Sequence, residues 1–108
     1  MSQAEYIRDL RDVIQKVHGV RSLHVKSVPI TEILDGKVVW DGVVEVFQLR
    51  DHPISDRLYA WSHKIDESGE RRYVNVFHVK PITSPLQAVR AAIVEEHKSR
   101  EEKRSKSG

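Results

Sequence analysis

The dipeptide Asp35-Gly36 constrains this chain more than any other feature. It separates two runs rich in β-branched residues, about 24–34 and 37–49. A two-residue link between strands needs positive φ at both positions, and Asp-Gly accepts that at low cost. The pattern predicts a β-hairpin and argues against an all-helical fold. Pro29 makes the first strand an edge strand or bends it, because proline cannot donate to a ladder. Gly42 suggests a bulge in the second strand.

A polar connection with Arg50-Asp51-His52-Pro53 leads to a third strand at about 57–66. Glu67-Ser68-Gly69 then forms a second turn, with Gly69 suited to the left-handed position of a bulged loop. A fourth strand runs to about Lys80, where Pro81 ends it. With a three-residue loop, Asp66 pairs with Glu70. His63 then lies opposite Tyr73, Trp61 opposite Asn75 and Tyr59 opposite Phe77, all on one face. Leu58, Ala60, Val74 and Val76 take the other. A one-residue change of register would exchange these sets.

Helices flank the strands. Ser2 with Glu5 reads as a capping box, and Ile7, Leu10, Ile14 and Val17 form an apolar stripe ending near His18 and Gly19. Ser84-Pro85-Leu86-Gln87 marks a second helix start. Its stripe is Leu86, Val89 and Ile93, with Val94 beside it, and Ala88, Ala91 and Ala92 allow close approach. Beyond Val94 no strongly apolar residue occurs. The expected organisation is one compact domain over residues 1–94, then a charged helical extension, 95–108, fraying into a disordered tail. The order α-β-β-β-β-α is an α+β fold: a four-stranded antiparallel meander with an N-terminal and a C-terminal helix.

Composition narrows the functional classes. The 108 residues suit a single domain with a modest core. No apolar run approaches the roughly 20 residues of a membrane span, and no secretory leader is evident, so a cytoplasmic protein is expected. Cysteine is absent, which removes disulfides, thiolate metal sites and cysteine catalysis. The formal charge is +2. Residues 95–108 carry five bases and four acids, and the remainder 13 bases and 12 acids, so positive charge is not concentrated.

Catalytic and metal motifs are not recognisable. The histidines His18, His24, His52, His63, His78 and His97 lack ligand spacing. His52 with Asp51 and Asp56 is the densest polar cluster and suggests a His–carboxylate general base, but its place in a proline-containing turn makes local capping and turn hydrogen bonding the better reading. The five glycines are dispersed, so no phosphate-cradling loop exists. No cofactor or metal is expected.

Two binding classes remain, with a small-ligand or enzymatic role around His52, His63 and Asp51 behind them. The first is self-association, as a homodimer, through an apolar sheet face or an edge strand, with Tyr59, Trp61, Tyr73 and Phe77 as the candidate surface. Six of the seven aromatic residues fall within 40–77, which is why the sheet draws attention. The second is an RNA- or DNA-binding module using Arg57, Arg71, Arg72, Arg90 and the basic tail. In outline the element order is similar to the double-stranded-RNA-binding domain, whose C-terminal helix starts lysine-rich; here that stretch has only Arg90, and there is an extra strand.

The stretches Val39-Trp40-Asp41-Gly42, Val44-Glu45-Val46-Phe47, Tyr59-Ala60-Trp61-Ser62-His63 and Ser84-Pro85 through Ala88-Val89-Arg90-Ala91-Ala92-Ile93 resemble small uncharacterised bacterial proteins over roughly residues 38–94. That resemblance implies no activity, cofactor or site. A non-enzymatic binding domain is the expectation.

Overall fold

The computed structural model describes residues 2–65 and 67–107, with side chains through Lys98. Its elements are α1 (Gln3–His18), β1 (Ser22–Leu34), β2 (Lys37–Leu49), β3 (Arg57–Lys64), β4 (Arg71–Phe77) and α2 (Pro85–Ser107). The strands form one antiparallel sheet in the order β1-β2-β3-β4, so the α+β meander is the observed fold.

Local chemistry sets the ends of these elements. Ser2 accepts the Glu5 N–H at the start of α1, and Gly19 closes it in the left-handed region at φ 68°. Asp35 and Gly36 both have positive φ, as the hairpin link requires. Ser84 Oγ accepts the Gln87 N–H at the start of α2. The helix continues to Ser107, so the extension is helical over its described part; Gly108 lies outside the described residues.

The two helices cover opposite faces of the sheet. Leu10 and Ile14 of α1 pack on Phe47, Leu49, Leu58 and Ala60. Ala88 and Val89 of α2 pack on Val44, Val46, Tyr59 and Trp61. Val17 and Val94, counted in the expected stripes, are 64% and 52% exposed. Both lie past the part of the helix that meets the sheet core.

Three strand features differ from expectation. β4 stops at Phe77 rather than Lys80, because the Val79 N–H turns back to the Phe77 carbonyl. The bulges are at Val25 in β1 and Val39 in β2, not at Gly42. Gly42 instead seats the Trp40 indole: a Cβ there would stand 3.1 Å from Trp40 Cη2. The second hairpin is also shifted by one residue. Ile65 N–H bonds the Glu70 carbonyl, and Ser62, Trp61, Tyr59 and Leu58 lie opposite Tyr73, Val74, Val76 and Phe77. The loop therefore holds four residues, 66–69; Asp66 itself lies outside the described residues.

β2 and β3 pair over only four positions, Glu45–Gln48 against Arg57–Ala60. Beyond Ala60 the strands part, β2 following β1 and β3 following β4. The sheet is thus forked, and a cavity of about 560 Å³, lined by Trp40, Trp61, Ser62 and His63 among others, lies in the fork.

Candidate functional site

The register shift divides the aromatic surface expected on one face. Tyr59 and Trp61 lie under α2 and are 1% and 4% exposed. Tyr73 and Phe77 lie on the α1 face, half-buried. The single face of Tyr59, Trp61, Tyr73 and Phe77 is therefore corrected. The longer loop moves each β4 residue by one, and a one-residue slip exchanges the faces. Burial raises the Tyr59 phenol pKa above its ordinary value, and its hydroxyl meets His78 Nδ1 at 2.6 Å.

The candidate arginines are not gathered into one patch. Arg71, on the α1 face, donates from Nε to Ser62 Oγ at 2.8 Å and from Nη2 to the Ser62 carbonyl. Its guanidinium also lies 5.7 Å from the Tyr6 ring centre. Arg72 projects to the opposite face, 3.9 Å from Glu96. Arg90 pairs with Glu32 of β1, which holds the Glu32 carboxyl below its ordinary pKa. Arg57 begins β3 and is exposed.

The histidine cluster is likewise divided. His63 lines the fork, at the other end of β3 from His52. His52 stacks on Phe77, with centroids 4.6 Å apart, and its Nδ1 accepts the Ile54 and Ser55 N–H groups. Turn bonding is thus the role seen for His52. Among the described residues, no group of three or more His, Cys, Asp or Glu could hold a metal ion.

Two arrangements do stand out. The first is the free edge of β4. Ser62 turns its backbone away from β4, since Tyr6 Oη accepts its N–H and Arg71 takes its carbonyl. Its partner Tyr73 is therefore a non-hydrogen-bonded position toward β3. By alternation the N–H and C=O groups of Tyr73 and Asn75 point outward from the sheet edge. Beside this edge runs a groove of about 800 Å³, floored by Val74 and Val76 and walled by Ile82, Ala91 and Val94. The other edge, β1, carries Pro29, the Val25 bulge and Lys26, all features that discourage strand pairing. β4 has none of the three within its span.

The second arrangement centres on Glu45, 3% exposed on the α1 face of β2. His24 Nε2 lies 2.9 Å from Glu45 Oε1, and the Ser27 hydroxyl donates to the same oxygen. His24 and Ser27 share a face only because Val25 bulges between them. In an unbroken strand, residues three apart face opposite ways. The bulge re-aims a side chain onto the carboxylate, as bulges commonly do. Strand alternation hid this cluster. The available signal was one charged residue, Glu45, inside the apolar run Val43–Phe47.

Comparison of the chain with family models, curated proteins and solved structures finds no match. No helix among the described residues is long and apolar enough to cross a membrane.

Proposed function

We propose that the protein is a non-enzymatic binding domain that associates with a second copy of itself along β4. Two β4 strands pair antiparallel about a two-fold axis, and the two four-stranded sheets become one. The carrying observation is the contrast between edges: β1 carries a proline and a bulge within its span, whereas β4 carries neither and holds its charged residues, Arg71 and Arg72, at one end. An isologous pairing suits β4, because Tyr73 and Asn75 of each copy supply donors and acceptors of the same spacing. It also brings Val94, 52% exposed, toward its own counterpart across the groove. The groove is lined by Arg72, Arg90, Glu95 and Glu96, two charges of each sign, so self-apposition meets no single-sign repulsion.

Sedimentation or light scattering across protein concentration tests this reading. The expected mass rises from 12.5 kDa toward twice that value. Asn75→Pro removes an outward N–H without touching the β3 ladder and should hold the chain at monomer mass. Asn75→Ala keeps that N–H and should still associate. Val94→Lys charges the groove at an exposed position and should act as Asn75→Pro does. A wild-type chain that stays monomeric at every concentration defeats the proposal, as does undiminished association of Val94→Lys.

A further inference from the structure

A separate cavity of about 610 Å³ lies on the α1 face, between the first turn of α1 and the first hairpin. Glu45 reaches it from β2. A buried carboxylate is costly unless charge or hydrogen bonds compensate it. Here His24 and Ser27 both use Oε1, which leaves Oε2 for another donor. Arg71 lines the same cavity from β4. Its Nε and Nη2 are held by Ser62, which fixes the guanidinium and leaves Nη1 to point elsewhere. Among the described residues Arg71 forms no ion pair with Glu45 or any other carboxylate. One fixed cation and one buried anion thus face a shared space without meeting.

The rest of the lining fits the same pattern. Ser2 and Gln3 bring the N-terminal end of α1 to the wall, and that end favours negative charge. The Tyr6 ring, Pro29 and Val43 supply apolar surface between the poles. From this we infer that the cavity binds a small zwitterion of the α-amino-acid type. Its ammonium group donates to Glu45, its carboxylate meets Arg71 and the α1 terminus, and an apolar side chain lies against Tyr6, Pro29 and Val43. The two poles of the site recognise the two charges together, so a molecule carrying only one of them forgoes the bond to Glu45 Oε2 or to Arg71 Nη1.

Titration of the full chain with L-valine, followed by backbone amide NMR shifts, tests the inference. Isobutylamine lacks the carboxylate and isovalerate lacks the amine, so each probes one pole. Saturable shifts at Ser27, Glu45 and Arg71 are expected with valine, and with L-phenylalanine if the cavity takes a larger side chain. Each truncated analogue should bind at least about tenfold more weakly, a loss of about 1.4 kcal/mol. Glu45→Gln preserves shape and should weaken valine by a similar factor. Arg71→Lys keeps the charge but loses the fork held by Ser62, and should weaken isovalerate more than isobutylamine. The inference fails if neither amino acid shifts these residues up to about 10 mM, where even a weak site would respond. It fails equally if isobutylamine and isovalerate match valine, or if Glu45→Gln leaves valine binding unchanged. Because the cavity is on the α1 face and Val94 lies on α2 at the opposite face, the Val94→Lys chain should bind as the wild type does.

Discussion

The two faces of the sheet are built from different chemistry. Under α2 the centre of the contact is apolar: Val44, Val46, Tyr59 and Trp61 meet Ala88 and Val89, with Val74, Val76 and Ile93 around them, and its polar contacts, Tyr59 on His78, Arg72 near Glu96 and Arg90 on Glu32, lie at the rim. Under α1 there is an equally buried apolar centre of Leu10, Ile14, Phe47 and Leu58. That centre is ringed by polar groups: Glu45 with His24 and Ser27, Tyr6 on the Ser62 N–H, Tyr73 donating to Asp9, and Asn75 against His18. Apolar packing is non-directional and tolerates small displacements in orientation. Hydrogen-bonded networks do not, because a polar group left unpaired in low dielectric is penalised. The α2 contact therefore rests chiefly on apolar burial, and the α1 contact adds hydrogen bonds that fix the position of its groups.

The largest effect should come from the α2 face. Tyr59 is 1% exposed and sits at the middle of the α2 contact. Tyr59→Ala removes the ring and strands His78 Nδ1, and should cost about 4 kcal/mol. Against a total of about 5–15 kcal/mol for a small domain, that is a large share. The urea midpoint should fall steeply, while any Tyr59→Ala protein that remains folded should retain the shift pattern of the Glu45 cavity. A loss below about 1 kcal/mol would mean that α2 contributes little and would reverse the assignment of the two faces.

Tyr6→Phe sharpens the same contrast from the other side. The Tyr6 hydroxyl accepts the Ser62 N–H at 2.8 Å, where β2 has already left β3. It stands in for the ladder acceptor that a continuous sheet would supply. Phenylalanine keeps the ring under Arg71 and removes only that acceptor. The expected loss is about 1 kcal/mol, since the orphaned donor lies beside an open cleft and water can reach it. Hydrogen exchange should report the change chiefly at Ser62 and its neighbours. A loss spread evenly over all amides would indicate a packing role for the hydroxyl instead.

The difference between the faces also explains what could be read from the chain. Features set within a few residues were legible: the Asp35-Gly36 link, the Ser2 and Ser84 caps, the Gly19 stop, and with them the element order. Features set by pairing were not. The second hairpin differs by one residue because Ile65, not Asp66, is the partner of Glu70, and nothing in Glu67-Ser68-Gly69 alone selects a four-residue loop over three. That single residue moved Tyr73 and Phe77 to the face opposite Tyr59 and Trp61. The bulges at Val25 and Val39 carry no glycine or proline to mark them. The Glu45 cluster depends on the first of these bulges, so it became visible only with the strand pairing known. The edge contrast was half legible: Pro29 pointed to an edge strand or a bend in β1, and the strand order shows the edge, whereas the free side of β4 follows from the strand order alone.

The smallest effect expected is a pH dependence, and it too belongs to the α1 face. His18 ends α1 with its ring 4.7 Å from Phe77 and 6.4 Å from His52, and with Asn75 Nδ2 3.3 Å from its Nε2. Desolvation first, and then the nearby His52, lower its pKa below the ordinary 6.5. The helix carbonyl end would favour the charged ring, but burial against Phe77 outweighs it. In the unfolded chain His18 takes up a proton near its ordinary pKa, while the folded chain resists until lower pH. Between those two points the unfolded state binds more protons, so stability falls as pH drops below 6.5 and recovers as pH rises through that value. His18→Gln should lessen this fall between about pH 7.5 and 5.5, read as the change in urea midpoint. Every other residue is common to both proteins, so the informative quantity is the difference between the two pH profiles. Parallel profiles would remove His18 from the account and leave the Asn75 contact as packing alone. The effect is the smallest of the three because His18 is only partly buried, and water shares in solvating its charge.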